Sequence, residues 1–117
     1  MTLKRVITEF GTGNDLHGGD YTKAAVRAVE DAIHHSSLSL VRTLGVDAKT
    51  MQVEVTIGVP RPDLVDKDEV LAVLPHGTGT VSVVEGGLEI SNDEGTNKTV
   101  VANAAAVVRL EVAERRP

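Results

Sequence analysis

Residues 99–113 read Thr-Val-Val-Ala-Asn-Ala-Ala-Ala-Val-Val-Arg-Leu-Glu-Val-Ala, and the class of the fold turns on them. The alanine-rich centre suits a helix. The periodicity does not. Val100, Ala102, Ala104, Ala106, Val108, Leu110 and Val112 all fall on even positions, while Asn103, Arg109 and Glu111 fall on odd ones. A period of two is the signature of a strand with one buried face, so a long strand is expected over Thr99–Ala113.

Working back from there, Thr80–Glu85 and Leu88–Ser91 flank Gly86-Gly87, the two-residue signal of a hairpin with a primed turn. Asn92–Asn97 is a polar loop. Met51–Val59 is a further strand, in which Met51, Val53, Val55, Ile57 and Val59 alternate with Gln52, Glu54, Thr56 and Gly58. Pro60-Arg61-Pro62 ends it. Asp66 then caps a short helix to about Leu74, with Glu69 at capping-box spacing and Val65 and Val70 at staple spacing, and Pro75-His76-Gly77 stops it.

At the start of the chain, Leu3–Phe10 reads as a strand with Val6, Ile7 and Phe10 in the core. It leads into Gly11-Thr12-Gly13-Asn14-Asp15-Leu16-His17-Gly18-Gly19, read as a glycine-rich loop. Asp20 is an N-cap for a helix from Tyr21 to about His35, with Ala25, Val29, Ala32 and Ile33 on one stripe. Ser36, Ser37 and Ser39 break that helix, Leu40–Leu44 add a turn, and Gly45 is a stop. The order β-α-β-α-β-β-β implies one α+β domain over 1–117: a single mixed sheet with two helices on one face. The opposite face carries Thr56, Gly58, Ala105 and Val107. That mixture is too apolar for a purely solvated surface, so subunit contact is expected there.

Composition narrows the function. The chain has 117 residues, a formal net charge of −5 and two aromatics, Phe10 and Tyr21. An acidic surface without stacking platforms excludes a nucleic-acid backbone partner. The absence of cysteine removes disulfides, thiolate metal sites and cysteine nucleophiles. No apolar run reaches the ~20 residues of a membrane span, and Met1–Phe10 lacks the apolar core of a signal peptide, so a cytoplasmic location is expected.

The chemistry is expected in the segment Gly11–Gly19. A glycine-rich turn before a helix N-terminus brings backbone N–H groups to an anion, which makes Gly11, Gly13, Asn14, Gly18 and Gly19 candidate ligand-binding residues. Asp15 and His17 are two apart, so an extended segment points both side chains one way. Asp15 would then orient His17 as general acid or base. The segment is neither a P-loop nor a dinucleotide fingerprint, because no Lys-Ser or Lys-Thr follows and Leu16 replaces the third glycine. Arg61, displayed between two prolines, is a candidate carboxylate binder. Alternatively, Asp15 and His17 are metal ligands together with Asp20 or His76, or the loop only shapes an oligomer contact. His34 and His35 suit a helix C-terminus, Arg109 is a possible ion-pair partner, and Glu54 and Asn103 fit cross-strand pairing.

Gly11-x-Gly13-x-Asp15-x-His17-Gly18 resembles the G-x-G-x-D-x-H-G motif of the Lin-type family of conserved hypothetical proteins. The resemblance continues through Thr22–Ile33, Val53-Glu54-Val55, Val83–Gly87 and Val101-x-Asn103-Ala104-Ala105. That family has no assigned function, so it names kin and no reaction. At fold level the chain also resembles the Bacillus-type chorismate mutase and YjgF/Rid class. This resemblance implies a homotrimer with small-molecule sites in clefts between subunits. Ile7–Asp15 is similar to repeats of the cyclic-amide ring-opening hydrolases, but their strand lysine has no counterpart in Met51–Val59. The expectation is thus a small enzyme acting on a polar or anionic metabolite through Asp15 and His17, or a binding module using the same loop. No cofactor is specified by either.

Overall fold

The alternation in the last third of the chain builds the sheet's central strand. In the computed structural model, which describes residues 2–34, 51–74 and 78–112, strand β5 spans Lys98–Val112. Its even side chains from Val100 to Leu110 are all buried. Around it lie β1 (Thr2–Asp15), β2 (Gln52–Val59), β3 (Thr78–Glu85) and β4 (Leu88–Ser91). The hydrogen-bonded order is β1-β5-β2-β3, with β4 also paired to β5. β2 and β3 run parallel, and the other pairings are antiparallel. The result is a mixed α+β architecture with, among the described residues, one mixed sheet and two α-helices, α1 (Tyr21–His34) and α2 (Lys67–Leu71).

Both helices cover the face that carries the even residues of β5. α1 places Tyr21, Ala24, Ala25, Ala28, Val29 and Ala32 against it. α2 brings Val70 into the core and lies over β3, where Leu71 and Leu74 pack on Gly79. Asp66 caps α2, its Oδ1 accepting from the N–H groups of Asp68 and Glu69. The Asp66 N–H donates to the Thr22 hydroxyl at 2.9 Å, which ties the start of α2 to the start of α1.

Three expectations are corrected. First, β1 does not stop at Phe10. It continues through Asp15, with Gly11 opposite Ala104 and Gly13 opposite Ala102. The two glycines lie beneath α1 so closely that a Cβ on Gly13 would stand 2.5 Å from Ala24 O and 2.6 Å from the Arg27 carbonyl carbon. They permit contact between strand and helix backbones, and the true loop is only Leu16–Asp20.

Second, β3 and β4 are not a hairpin. At Gly86 the chain steps past the end of β2, with Gly86 N–H donating to Val59 O at 2.9 Å, and β4 then pairs with β5 in line with β2. Gly87 has φ +64°, and a side chain there would collide with the carbonyl of Val101.

Third, Phe10 is 68% exposed, because the register of β1 sends it to the face opposite α1 and α2 while Ile7 goes to the core. The side chain of Val6, residues 35–50, Pro75-His76-Gly77 and Ala113 lie outside the described residues. No helix among the described residues is long and apolar enough to cross a membrane.

Candidate functional site

At the end of β1, Asp15 is only 4% exposed, the one buried charged residue among those described. Its Oδ2 accepts the Asp20 N–H at 2.9 Å, and its Oδ1 lies 4.0 Å from both Lys23 Nζ and Arg27 NH1. Arg27 also donates to the carbonyl of Asn14 at 2.7 Å. A buried carboxylate persists only when its oxygens are satisfied, and here they join the strand end to the first turns of α1. Asp20 completes that junction as N-cap, its Oδ1 accepting from Lys23 N–H at 3.0 Å. Part of the positive potential at the start of α1 is therefore already met by the chain's own carboxylates.

His17 faces a different partner. It stands in the bend His17-Gly18, exposed, and its Nδ1 lies 2.9 Å from the Asn97 side-chain nitrogen. Asn97 stands in the loop between β4 and β5, folded around Asn92, whose Oδ1 accepts from the N–H groups of Thr96 and Asn97. Gly18 N–H donates to Asn97 Oδ1 at 3.0 Å, and the Thr99 hydroxyl donates to Leu16 O at 3.2 Å. Four contacts thus fasten segments some 80 residues apart in sequence, the fourth being the Lys98 side chain alongside Gly19. Gly18 and Gly19 adopt φ +93° and +62°, values that favour glycine.

The two loops enclose a cavity of about 220 Å³ lined by Gly18, Gly19, Tyr21, Gly95, Thr96, Asn97 and Lys98. Behind its Tyr21 wall lies a polar cluster. The Tyr21 hydroxyl donates to Glu89 Oε1, and Arg61 Nε lies 3.8 Å from the same oxygen. The bond to Tyr21 holds the Glu89 carboxyl below the ordinary carboxylate range, and the charges of Lys98 and Arg61 act the same way against its burial. The same bond raises Tyr21 above its usual value, with burial and the Glu89 charge adding to it and Arg61 opposing.

Of the residues expected at a site, the structure brings together His17, Gly18 and Gly19. Among the described residues Asp15 and His17 share no hydrogen bond. Asp15 is held at the buried end of β1 by the start of α1, while His17 lies in the exposed bend His17-Gly18. Gly11 and Gly13 are packed beneath α1, and Asn14 is exposed with its carbonyl taken by Arg27. Arg61 sits behind Tyr21 in an ion pair. Arg109 pairs with Glu54 at 3.1 Å on the uncovered face. His76 lies outside the described residues. No group of three or more metal-ligating side chains occurs among those described. Asn97, Lys98 and Glu89 were not anticipated. The one local hint was the turn chemistry of Asn92–Asn97, which gives no indication that it meets His17.

A family model described as a conserved hypothetical protein, Lin0512, matches residues 5–108. The chain belongs to the Lin0512 family. Its fold is also that of a crystal structure from Nostoc punctiforme, described as an FtsZ-like protein of unknown function. The two share 38% identity with a TM-score of 0.81, over 96% of this Lin0512 chain and 99% of the other. Comparison with curated proteins gives no match.

Proposed function

We propose that this Lin0512 protein binds a small anionic metabolite in the cleft between the β1–α1 and β4–β5 loops. The observation that carries the reading is one polar cavity lined by the Gly18-Gly19 turn, Asn97 and Lys98, with the exposed His17 at its edge, bonded to the lining Asn97. The ring and the ammonium offer donors to an oxygen ligand, and the paired glycines leave the approach free of side chains. His17 is also placed for general acid–base work, with Asn97 as its partner in place of Asp15.

At about 220 Å³ the cavity is smaller than the ~300–1,000 Å³ of typical metabolite sites, so it suits the charged end of a ligand. Self-association is supported by the sheet face opposite the two helices, where Phe10, Val84, Leu88 and Ile90 are exposed.

The test is a thermal-shift screen of small carboxylates and phosphates on the wild type and His17→Ala. Stabilisation by at least one compound in the wild type and its loss in a normally folded variant is expected. Equal stabilisation of both proteins by every active compound would overturn the assignment.

A further inference from the structure

We infer that Asn97 is a positioning residue that makes His17 a hydrogen-bond donor to its ligand. The assignment follows from a chain of obligatory donors. Gly18 N–H can face only an acceptor, so the Asn97 oxygen is fixed upon it at 3.0 Å. The amide NH₂ is thereby turned onto His17 Nδ1 at 2.9 Å. An NH₂ group donates, so Nδ1 supplies the lone pair and the proton of the neutral ring resides on Nε2. Asn97 is itself held in place, since its own N–H is anchored on Asn92 Oδ1 at 3.1 Å. Nε2–H has no partner among the described residues and is the ring's remaining donor.

The consequence for the ligand rests on reading the cleft as a binding site. The ligand atom that meets His17 is an acceptor: a carboxylate, phosphate or carbonyl oxygen. A metal ion is opposed by the same geometry, because one ring nitrogen is engaged by Asn97 and the other carries a proton. Taking a metal at either nitrogen requires breaking the Asn97 contact or setting two donors against each other.

The experiment is a two-bond ¹H–¹⁵N correlation spectrum of the imidazoles in ¹⁵N-labelled protein, recorded where His17 is neutral. The chain has four histidines, and His17→Ala identifies the relevant signals by their loss. In the wild type, Nε2 is expected to be the protonated nitrogen. Asn97→Asp keeps an acceptor for Gly18 N–H but replaces the NH₂ by an oxygen, so the ring proton is expected on Nδ1 and the pattern inverts. An unchanged pattern in Asn97→Asp would overturn the inference. Should that variant not fold, a wild-type ring protonated on Nδ1 would overturn it equally.

Titration with acetate and with inorganic phosphate then reads the ligand consequence. Binding of either probe is expected to weaken about tenfold or more in Asn97→Asp, through the lost His17 donor, the size of a hydrogen bond to a charged group, together with repulsion by the added carboxylate. Inversion of the tautomer without binding of either probe would sustain the role of Asn97 and count against the anion cleft.

Discussion

Replacing Gly13 by alanine asks whether the glycines of the first strand serve packing or a ligand. The added methyl would lie 2.5 Å from Ala24 O and 2.6 Å from the Arg27 carbonyl carbon. Ordinary contact needs ~3.5 Å, so α1 must rise by about 1 Å. Overpacking of this kind costs ~1–3 kcal/mol, and here the upper end applies because helix backbone cannot rotate away as a side chain can. The smaller entropy of the unfolded alanine chain returns ~0.4–1 kcal/mol, leaving a net loss of ~2–3 kcal/mol.

Unfolding entropy of ~2.1 cal/mol/K per residue converts that loss to a Tm lowered by about 8–12 °C for a 117-residue chain. Gly95→Ala is the control. Gly95 has φ +69° with no atom near its missing Cβ, so only backbone strain applies, ~0.5–1 kcal/mol net and about 2–4 °C. Circular-dichroism melts with urea midpoints measure both. A Gly13→Ala melt within the range of Gly95→Ala would refute the packing role. Ala28→Gly should not rescue it, because the obstruction is backbone and removing a methyl does not relieve it; rescue would place the clash at the side chain instead.

Two further substitutions probe the surroundings of the cleft. Asp15→Ala leaves the Asp20 N–H without its acceptor and should cost ~1–3 kcal/mol in urea unfolding. Its effect on ligand binding should follow stability alone, whereas a dyad with His17 would abolish binding in protein that remains folded. Glu89→Gln separates the two pH limbs. With Glu89 held low in the folded state, its stabilising contribution is complete above the ordinary carboxylate range and is lost as pH falls through its depressed value, so the variant should flatten the acid limb. Tyr21 is raised, so its contribution is present below the ordinary tyrosine range and lost as pH rises through its own value. Tyr21 is the sole tyrosine and the chain has no tryptophan, so tyrosinate absorbance reports it alone. Its midpoint should exceed that of free tyrosine and move down in Glu89→Gln.

The order of elements was legible because burial imposes its period on sequence. The even residues of β5, the alternation in β2, and Asp20 and Asp66 as caps each have a local physical cause. Glycine was the ambiguous residue. It serves both positive φ and close approach, and the two uses look alike in a string of letters. For Gly11 and Gly13 the discriminating signal lay in another element, where Ala24, Ala28 and Ala32 recur every four residues and present bare backbone to them. For Gly86-Gly87 it lay in the lateral pairing of β4, which turn chemistry does not encode. The site suffered the same limit. Proximity in sequence suggested Asp15 for His17, whereas the true partner, Asn97, arrives through the antiparallel return of β5 alongside β1.

Native mass spectrometry of freshly purified wild-type protein and His17→Ala tests the anion cleft most directly, since it reads retained mass and subunit number together. A small-molecule mass on the wild type, absent from a variant with the same subunit number, is the result expected. A retained mass identical in both proteins would contradict a ligand site at His17.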